Sequence, residues 1–367
     1  MFGIAVGSWG NRKLQPINNP NVVLELVLMT PSSAQDVAIV VIGRNEGDRL
    51  KSCLNSVKGK ARIAIYVDSG SVDGSAQHAA SAGFPVVELD ALRPFTAARA
   101  RNEGFQRIVE LAPDVPFIQF LDGDCVLVEG WLDSGVSALN ARADVAASCG
   151  NVRELYPHAS IYNRLCDLEW RQPPGETRTC GGRFMVRNEV FRAVGGFRPD
   201  VIAAEDDEFC VRVRRIGWKL LQLDAEMALH DAALTRFSQW RRKARRTGHA
   251  YAQVAALHGH GDERYFVHDC RKIWFWGLVL PVAAVSLVPF TYGLSLAAAI
   301  CAYALQFARI YGHGRRREWQ AGDAAIYSLF TVLSRFPALL GLLEYHWRHW
   351  RGHDLTIIEY KGSSTRA

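Results

Sequence analysis

Four short apolar runs, spaced along the first third of the chain, constrain its fold more than any other feature. They are Val37-Ala38-Ile39-Val40-Val41-Ile42, Ile63-Ala64-Ile65-Tyr66-Val67, Pro85-Val86-Val87-Glu88-Leu89 and Pro116-Phe117-Ile118-Gln119-Phe120-Leu121. An unbroken β-branched run such as the first reads as a strand buried on both faces, the condition of a parallel sheet covered by helices. Helix-length segments separate the runs: Asp48 to Val57 repeats Leu50, Leu54 and Val57 at helical spacing, a second helix follows the loop 68–74, and a third runs from Ala97 to Val109. Strand and helix alternating four times predicts right-handed crossovers and an α/β fold with a Rossmann-like, doubly wound, mostly parallel sheet and flanking helices. With 367 residues, 49% of them hydrophobic, there is ample material for its core.

Beyond Asp144 the alternation loosens. We read a strand at Val145 to Ser148, a helix at Ile161 to Trp170, a turn at Pro173-Pro174-Gly175, a strand at Arg183 to Val186 opened by Gly181-Gly182, and a helix from Asp206 to Arg215. The catalytic-type domain is therefore set at 36–234, and residues 1–35 are expected to be a flexible extension. The first 28 residues lack the basic start, apolar core and small-residue cleavage site of a signal peptide, and Met29 offers an internal start.

The rest of the chain changes character. From Thr235 to Leu257, Phe237, Trp240, Ala244, Tyr251 and Val254 recur at helical steps, while Arg241, Arg242, Lys243, Arg245 and Arg246 fill the other face. That pattern predicts a basic amphipathic helix on a membrane surface, with its linker spanning 235–270. Ile273 to Ala308 contains no charged side chain. As one helix it would be about 54 Å long, too much for a hydrocarbon core of about 30 Å, so a hairpin over 271–311 broken at Pro289 to Gly293 is expected. Arg271-Lys272 and Arg309 then lie on one side, the cytoplasmic side of an inner membrane. A third apolar stretch, Ala324 to Leu343, carries Arg335 and Pro337 at its middle and is read as an interfacial or re-entrant helix within 312–367.

Net charge is +6, and much of the excess flanks the apolar segments, which favours anionic membrane lipids over nucleic acid as the partner. The eight cysteines stand singly, without Cys-x-x-Cys pairs, which disfavours structural zinc and a disulfide framework.

The chemistry concentrates behind the fourth run, in Asp122-Gly123-Asp124. Two carboxylates at the carboxyl edge of a sheet suit Mg²⁺ or Mn²⁺ that completes its coordination with a substrate's phosphates. An Asp-Gly pair after a strand is also an ordinary turn. The second acidic cluster, Glu205-Asp206-Asp207-Glu208, has a structural reading at the positive end of a helix dipole and a functional one as a general base.

The chain resembles the family 2 glycosyltransferases with a GT-A fold. The resemblance is carried by Val37 to Glu46, ending in Arg44-Asn45-Glu46; by Val67-Asp68-Ser69-Gly70-Ser71-Val72-Asp73-Gly74; by Ala100-Arg101-Asn102-Glu103-Gly104; by Leu121-Asp122-Gly123-Asp124; by Gly195-Gly196-Phe197; and by Glu205 to Glu208. It covers residues 36–235 and implies a nucleotide-diphosphate sugar as donor. By resemblance, Arg44, Glu46, Asp68, Arg101 and Asp122 belong to the donor side, Asp68 on the nucleotide base. Asp124, with Asp122 and His230, would hold the metal on the diphosphate. Asp206 would deprotonate the acceptor, and Gly181, Gly182 and Glu205 are candidates on the acceptor side. A lipid-linked or cell-surface glycan acceptor follows from the membrane segments. Processive members carry Gln-x-x-Arg-Trp, whereas Gln239-Trp240-Arg241-Arg242-Lys243 ends in lysine, so a single addition is expected. A non-catalytic scaffold and a nucleotidyltransferase are the competing classes; the second should release pyrophosphate, and no Gly-rich, Lys-containing loop follows the first strand.

Overall fold

The structure, a computed structural model, describes residues 33–352; most of the expected N-terminal extension and the end of the basic tail lie outside the described residues. The expected strands appear as β1 (Val37–Gly43), β2 (Ile63–Asp68), β3 (Val86–Glu88) and β4 (Phe117–Asp122), and the helices between them as α1 (Asp48–Val57), α2 (Ser75–Ser81) and α3 (Ala97–Leu111). All pair in parallel, in the order β3-β2-β1-β4. The register aligns Gly43 with Asp68 and Ile42 with Asp122, so three strand ends meet at one edge. Ligands of open α/β sheets bind at that carboxyl edge.

The second half of the sheet is mixed. It adds β5 (Cys125–Leu127), β6 (Val145–Glu154), β7 (Gly175–Thr177), β8 (Phe184–Arg187) and β9 (Lys219–His230), in the order β4-β8-β6-β9-β5 with β7 also on β9. β8 runs antiparallel to β4 and β6, which ends the parallel half. The strand expected at Val145 to Ser148 continues to Glu154, because β9 pairs with its whole length through irregular steps. The turn expected at 173–175 leads into the short β7 instead, with Gly175 at φ +127° and its ladder closed on β9. The helices of this half are α4 (Trp131–Ala141), α5 (Ile161–Trp170), α6 (Asn188–Ala193) and α7 (Glu205–Arg215). Phe120, Phe184, Phe191, Phe197 and Phe209 form a buried ring cluster that fastens α6 and α7 to the sheet. Each such aromatic pair adds about 0.5 to 1.5 kcal/mol beyond its buried area.

The amphipathic helix is present as α8 (Phe237–His258), but its apolar face is not left to a membrane. Trp240, Ala244, Gly248 and Ala252 are buried, and the helix packs along the last helix of the described residues. Lys243 reaches Glu169 on α5 at 2.9 Å and Arg245 reaches Glu344 at 2.7 Å, whereas Arg241 and Arg242 are exposed.

The expected hairpin is uneven. Its first arm is broken into α9 (Val267–Trp274), a π turn at Phe275–Val279, α10 (Leu280–Ser286) and α11 (Val288–Thr291). Pro281 and Pro289 lack the backbone N–H that a continuous helix needs, which accounts for the interruptions. The second arm, α12 (Leu294–Arg316), is continuous and long enough to cross a bilayer. So is the third apolar stretch: α13 (Ala321–Leu333) and α14 (Arg335–Trp350) read as one run of 30 residues. Arg335 is 5% exposed at their joint, packed within protein, so it does not face the surroundings.

Candidate active site

The strand ends at the sheet edge are tied to one another before any ligand enters. The backbone N–H of Asn45 donates to Ser71 Oγ at 2.9 Å, that of Val72 donates to Asn45 Oδ1 at 2.8 Å, and that of Gly47 donates to Asp73 at 2.9 Å. Asp68 lies beneath this seam, 2% exposed, accepting from Tyr66 Oη at 2.9 Å and from the N–H of Ser71 at 2.7 Å. Arg44 is exposed on the rim with its guanidinium 5.3 Å from the Phe95 ring, and Glu46 pairs with Arg49 at 2.7 Å.

One arginine organises the centre. Arg101, on α3 and 3% exposed, donates from Nη2 to Asp122 Oδ1 at 2.9 Å and from Nη1 to Glu205 Oε1 at 2.5 Å. Burial alone would lower its pKa; Asp122, Glu205 and Asp206 outweigh that and keep it protonated. Gly182 makes room for it, since a Cβ there would stand 2.6 Å from Arg101 Nη2. Gly181, at φ +67°, shapes the same loop. Glu205 is thus placed on Arg101, deep at the start of α7.

A second arginine, Arg183, holds the other oxygen of Asp122 at 3.3 Å and approaches His230 Nδ1 at 3.5 Å. The antiparallel register of β5 and β9 sets Cys125 opposite His230, which brings His230 Nε2 to 3.1 Å from Asp124 Oδ2. Burial, and then Arg183, push the His230 pKa down to about 3, so the ring is neutral. Nδ1 therefore accepts from Arg183 and Nε2–H donates to Asp124. The indole of Trp170, at the end of α5, lies 4.4 Å from the imidazole. The ligand atoms of Asp124, Cys125 and His230 all fall within 4.8 Å of one another, and all three residues are buried. Carboxylate with imidazole suits Mn²⁺ better than Mg²⁺, which prefers oxygen alone, while burial pushes the Cys125 thiol up and keeps it protonated.

Across Arg101, α7 opens with Asp206 and Asp207. Its entry is strained, with Ala204 at φ +59°. Burial, then the neighbouring Asp207 and Glu205 charges, hold the Asp206 carboxyl well above the usual carboxylate range, against the pull of Arg101. Asp207 is raised as well by burial, and it accepts from Tyr265 Oη at 2.7 Å.

The structure therefore brings Asp122, Asp124, His230, Arg101, Gly182 and Glu205 into one cluster, with Asp206 beside it and Arg44, Glu46 and Asp68 along its rim. Sequence reasoning missed Arg183, Cys125 and Trp170. Arg183 directly follows the Gly181-Gly182 pair and Cys125 directly follows Asp124, so adjacency could have found both. Nothing in the sequence points from Trp170 to His230.

Comparisons with known proteins bear on the family and the fold. The sequence model described as Glycosyl transferase family 2 matches residues 38–195. Glycosyltransferase AglE of Haloferax volcanii is 26% identical over 235 residues, 60% of this chain and 74% of its own length. The pre-mycofactocin glycosyltransferase of Mycobacterium tuberculosis is 24% identical over 62% of this chain, a match that spans about half of that protein, 49%. Among solved structures, the mannosyltransferase PcManGT of Pyrobaculum calidifontis, in complex with GDP-Man and Mn²⁺, superposes with a TM-score of 0.53 at 15% identity, covering 87% of this chain and 90% of its own. The sheet is that of a GT-A fold, and residues 38–195 within it match the family 2 glycosyltransferase model.

Proposed function

We propose that the chain is an inverting, metal-dependent glycosyltransferase that moves one sugar from a nucleotide-diphosphate donor to a lipid-linked or glycan acceptor at the cytoplasmic face of a membrane. The observation that carries the reading is the Arg101 bridge between Asp122, beside the Asp124–His230 pair, and Glu205, beside Asp206. It supports reading the Asp124–His230 pair as the cation-binding group and Asp206 as the base, on either side of one buried guanidinium.

Asp124 and His230 would hold the divalent cation, with Asp122 in support; when bound, it supplies Lewis-acid stabilisation of the leaving diphosphate. Arg101 and Arg183 add fixed positive charge where that negative charge develops. Asp206, whose raised pKa suits proton abstraction near neutral pH, takes the proton of the acceptor hydroxyl. The hydroxyl oxygen bonds to the anomeric carbon as the carbon–oxygen bond to the diphosphate breaks, and the leaving group keeps the electron pair. One displacement of this kind inverts the anomeric configuration. Single addition is supported by Lys243, which stands where processive relatives have tryptophan and is drawn onto α5 by Glu169.

The test is a thermal-shift screen of GDP-, UDP- and other nucleotide sugars with Mn²⁺ against EDTA. Stabilisation that depends on the metal is expected for the true donor. Asp124→Asn should lose it. Asp206→Asn should keep it and abolish transfer; undiminished turnover in that variant would refute the base assignment.

A further inference from the structure

Tyr265 lies in the linker between α8 and α9, far in sequence from the acidic cluster it touches. It is 5% exposed, and its hydroxyl donates to Asp207 Oδ1 at 2.7 Å. Its ring is gripped by two guanidiniums, Arg178 at 5.2 Å and Arg214 at 5.3 Å, which Glu263 holds from the same linker at 3.1 and 2.5 Å. The backbone beside it is strained, with Arg264 at φ +44° and Phe266 at φ +58°. Non-glycine residues persist in that region only where their surroundings over-determine them, and such strain clusters at functional sites. At the other end of the contact, Ala204 carries similar strain at the entry to α7.

We propose that Tyr265 is a positioning residue that divides the labour between the two aspartates of α7, holding Asp207 as the fixed member so that Asp206 takes the acceptor's proton. The inference rests on the base assignment made above. Without such a contact, two adjacent carboxylates would compete for one proton and neither would have a defined task. A phenol O–H aimed at Asp207 favours that group as the ionised partner. The charge left on Asp207 then makes Asp206 the stronger base. Burial and Asp207 both push the Tyr265 hydroxyl's own pKa up, so it stays a donor. Other groups facing the pair are Glu205 and Cys210, on their own helix, Arg101 from α3, which opposes the proton on Asp206, Thr179 from the loop before β8, which also bonds Asp207, Cys180 from the same loop, and Tyr251 from α8.

The experiment uses the full chain, Mn²⁺ and the nucleotide sugar selected by the thermal-shift screen, with water as acceptor and nucleoside diphosphate release as the signal. Tyr265→Phe keeps the ring between its two arginines and removes only the hydroxyl. Its donor-dependent stabilisation should match the parent, its kcat should fall about tenfold, and the acid limb of its pH profile should move about one pH unit lower. Asp207→Asn should reproduce the shift of the limb without touching the tyrosine. A Tyr265→Phe variant with the parent's kcat and pH profile overturns the proposal. So does one whose donor binding falls in step with its turnover, since that is the mark of a merely structural contact. Asp206→Asn run in parallel separates the two levels: full turnover there removes the base assignment itself, whereas a dead Asp206→Asn with an unchanged Tyr265→Phe removes only the role of Tyr265.

Discussion

Arg101 is buried and still charged because Asp122, Glu205 and Asp206 surround it, and it reaches both acidic motifs. Asp206 has the opposite problem: it is held among like charges at a half-buried position. A carboxyl whose folded pKa lies above its unfolded value is best tolerated while protonated, so its contribution to stability is present at low pH and lost as pH rises through the folded value. Asp206→Asn should therefore melt higher than the parent at pH 8, the gap closing towards pH 4, even though transfer is lost. Melting curves of both proteins across that range check the sign. Asp122, Asp124, Arg101 and Asp206 were legible in the sequence because each sits in a short motif at an element end. Arg183, Cys125 and Trp170 were not assigned, because their importance lies in what they touch, and the register of β5 against β9 decides that for Cys125.

At the scale of elements, periodicity located the four parallel strands and the helices between them, since a face of Leu, Val and Ile declares its own spacing, whereas α4, α6, β5 and β7 were not read from it. What it could not give was partners. α8 shows its basic face in the sequence, but the structure spends its apolar face on α14. The two helices cross at glycines: a Cβ on Gly248 would lie 1.9 Å from Ala338 O, and one on Gly341 would lie 1.9 Å from Arg245 O. Backbone-to-backbone contact of this kind leaves no flexible side chain to yield. Gly341→Ala should force the helices apart at a cost at or above the usual 1 to 3 kcal/mol of overpacking. Lower melting temperature, with new protease cleavage in the 259–266 linker, is the expected outcome; an unchanged melt would mean that the crossing is loose.

The whole molecule joins the α/β domain to apolar helices, of which α12 is little covered by protein. Among the residues of α12 only Ala299 and Gly314 are buried, leaving Leu294, Ile300 and Leu305 at the surface. Besides the packing of α14 on α8, part of the join is made through α5. Arg164 on it pairs with Asp323 on α13, Lys243 on α8 bonds its Glu169, and Arg317 donates to the carbonyl of Arg171 just past its end, at 2.8 Å. Since α5 ends in Trp170, whose ring rests on His230, the ties have a mechanical consequence. α12 has 23 residues, about 35 Å as a helix, against a hydrocarbon core of about 30 Å. A helix that long tilts in a thin bilayer and straightens in a thick one. If α12 crosses a bilayer, these contacts would carry a tilt of α13 to α5 and on to the imidazole. Reconstituted in phosphatidylcholines of increasing acyl length, the protein should show a donor turnover that peaks at one thickness, whereas a domain merely tethered by its tail would be indifferent to the lipid.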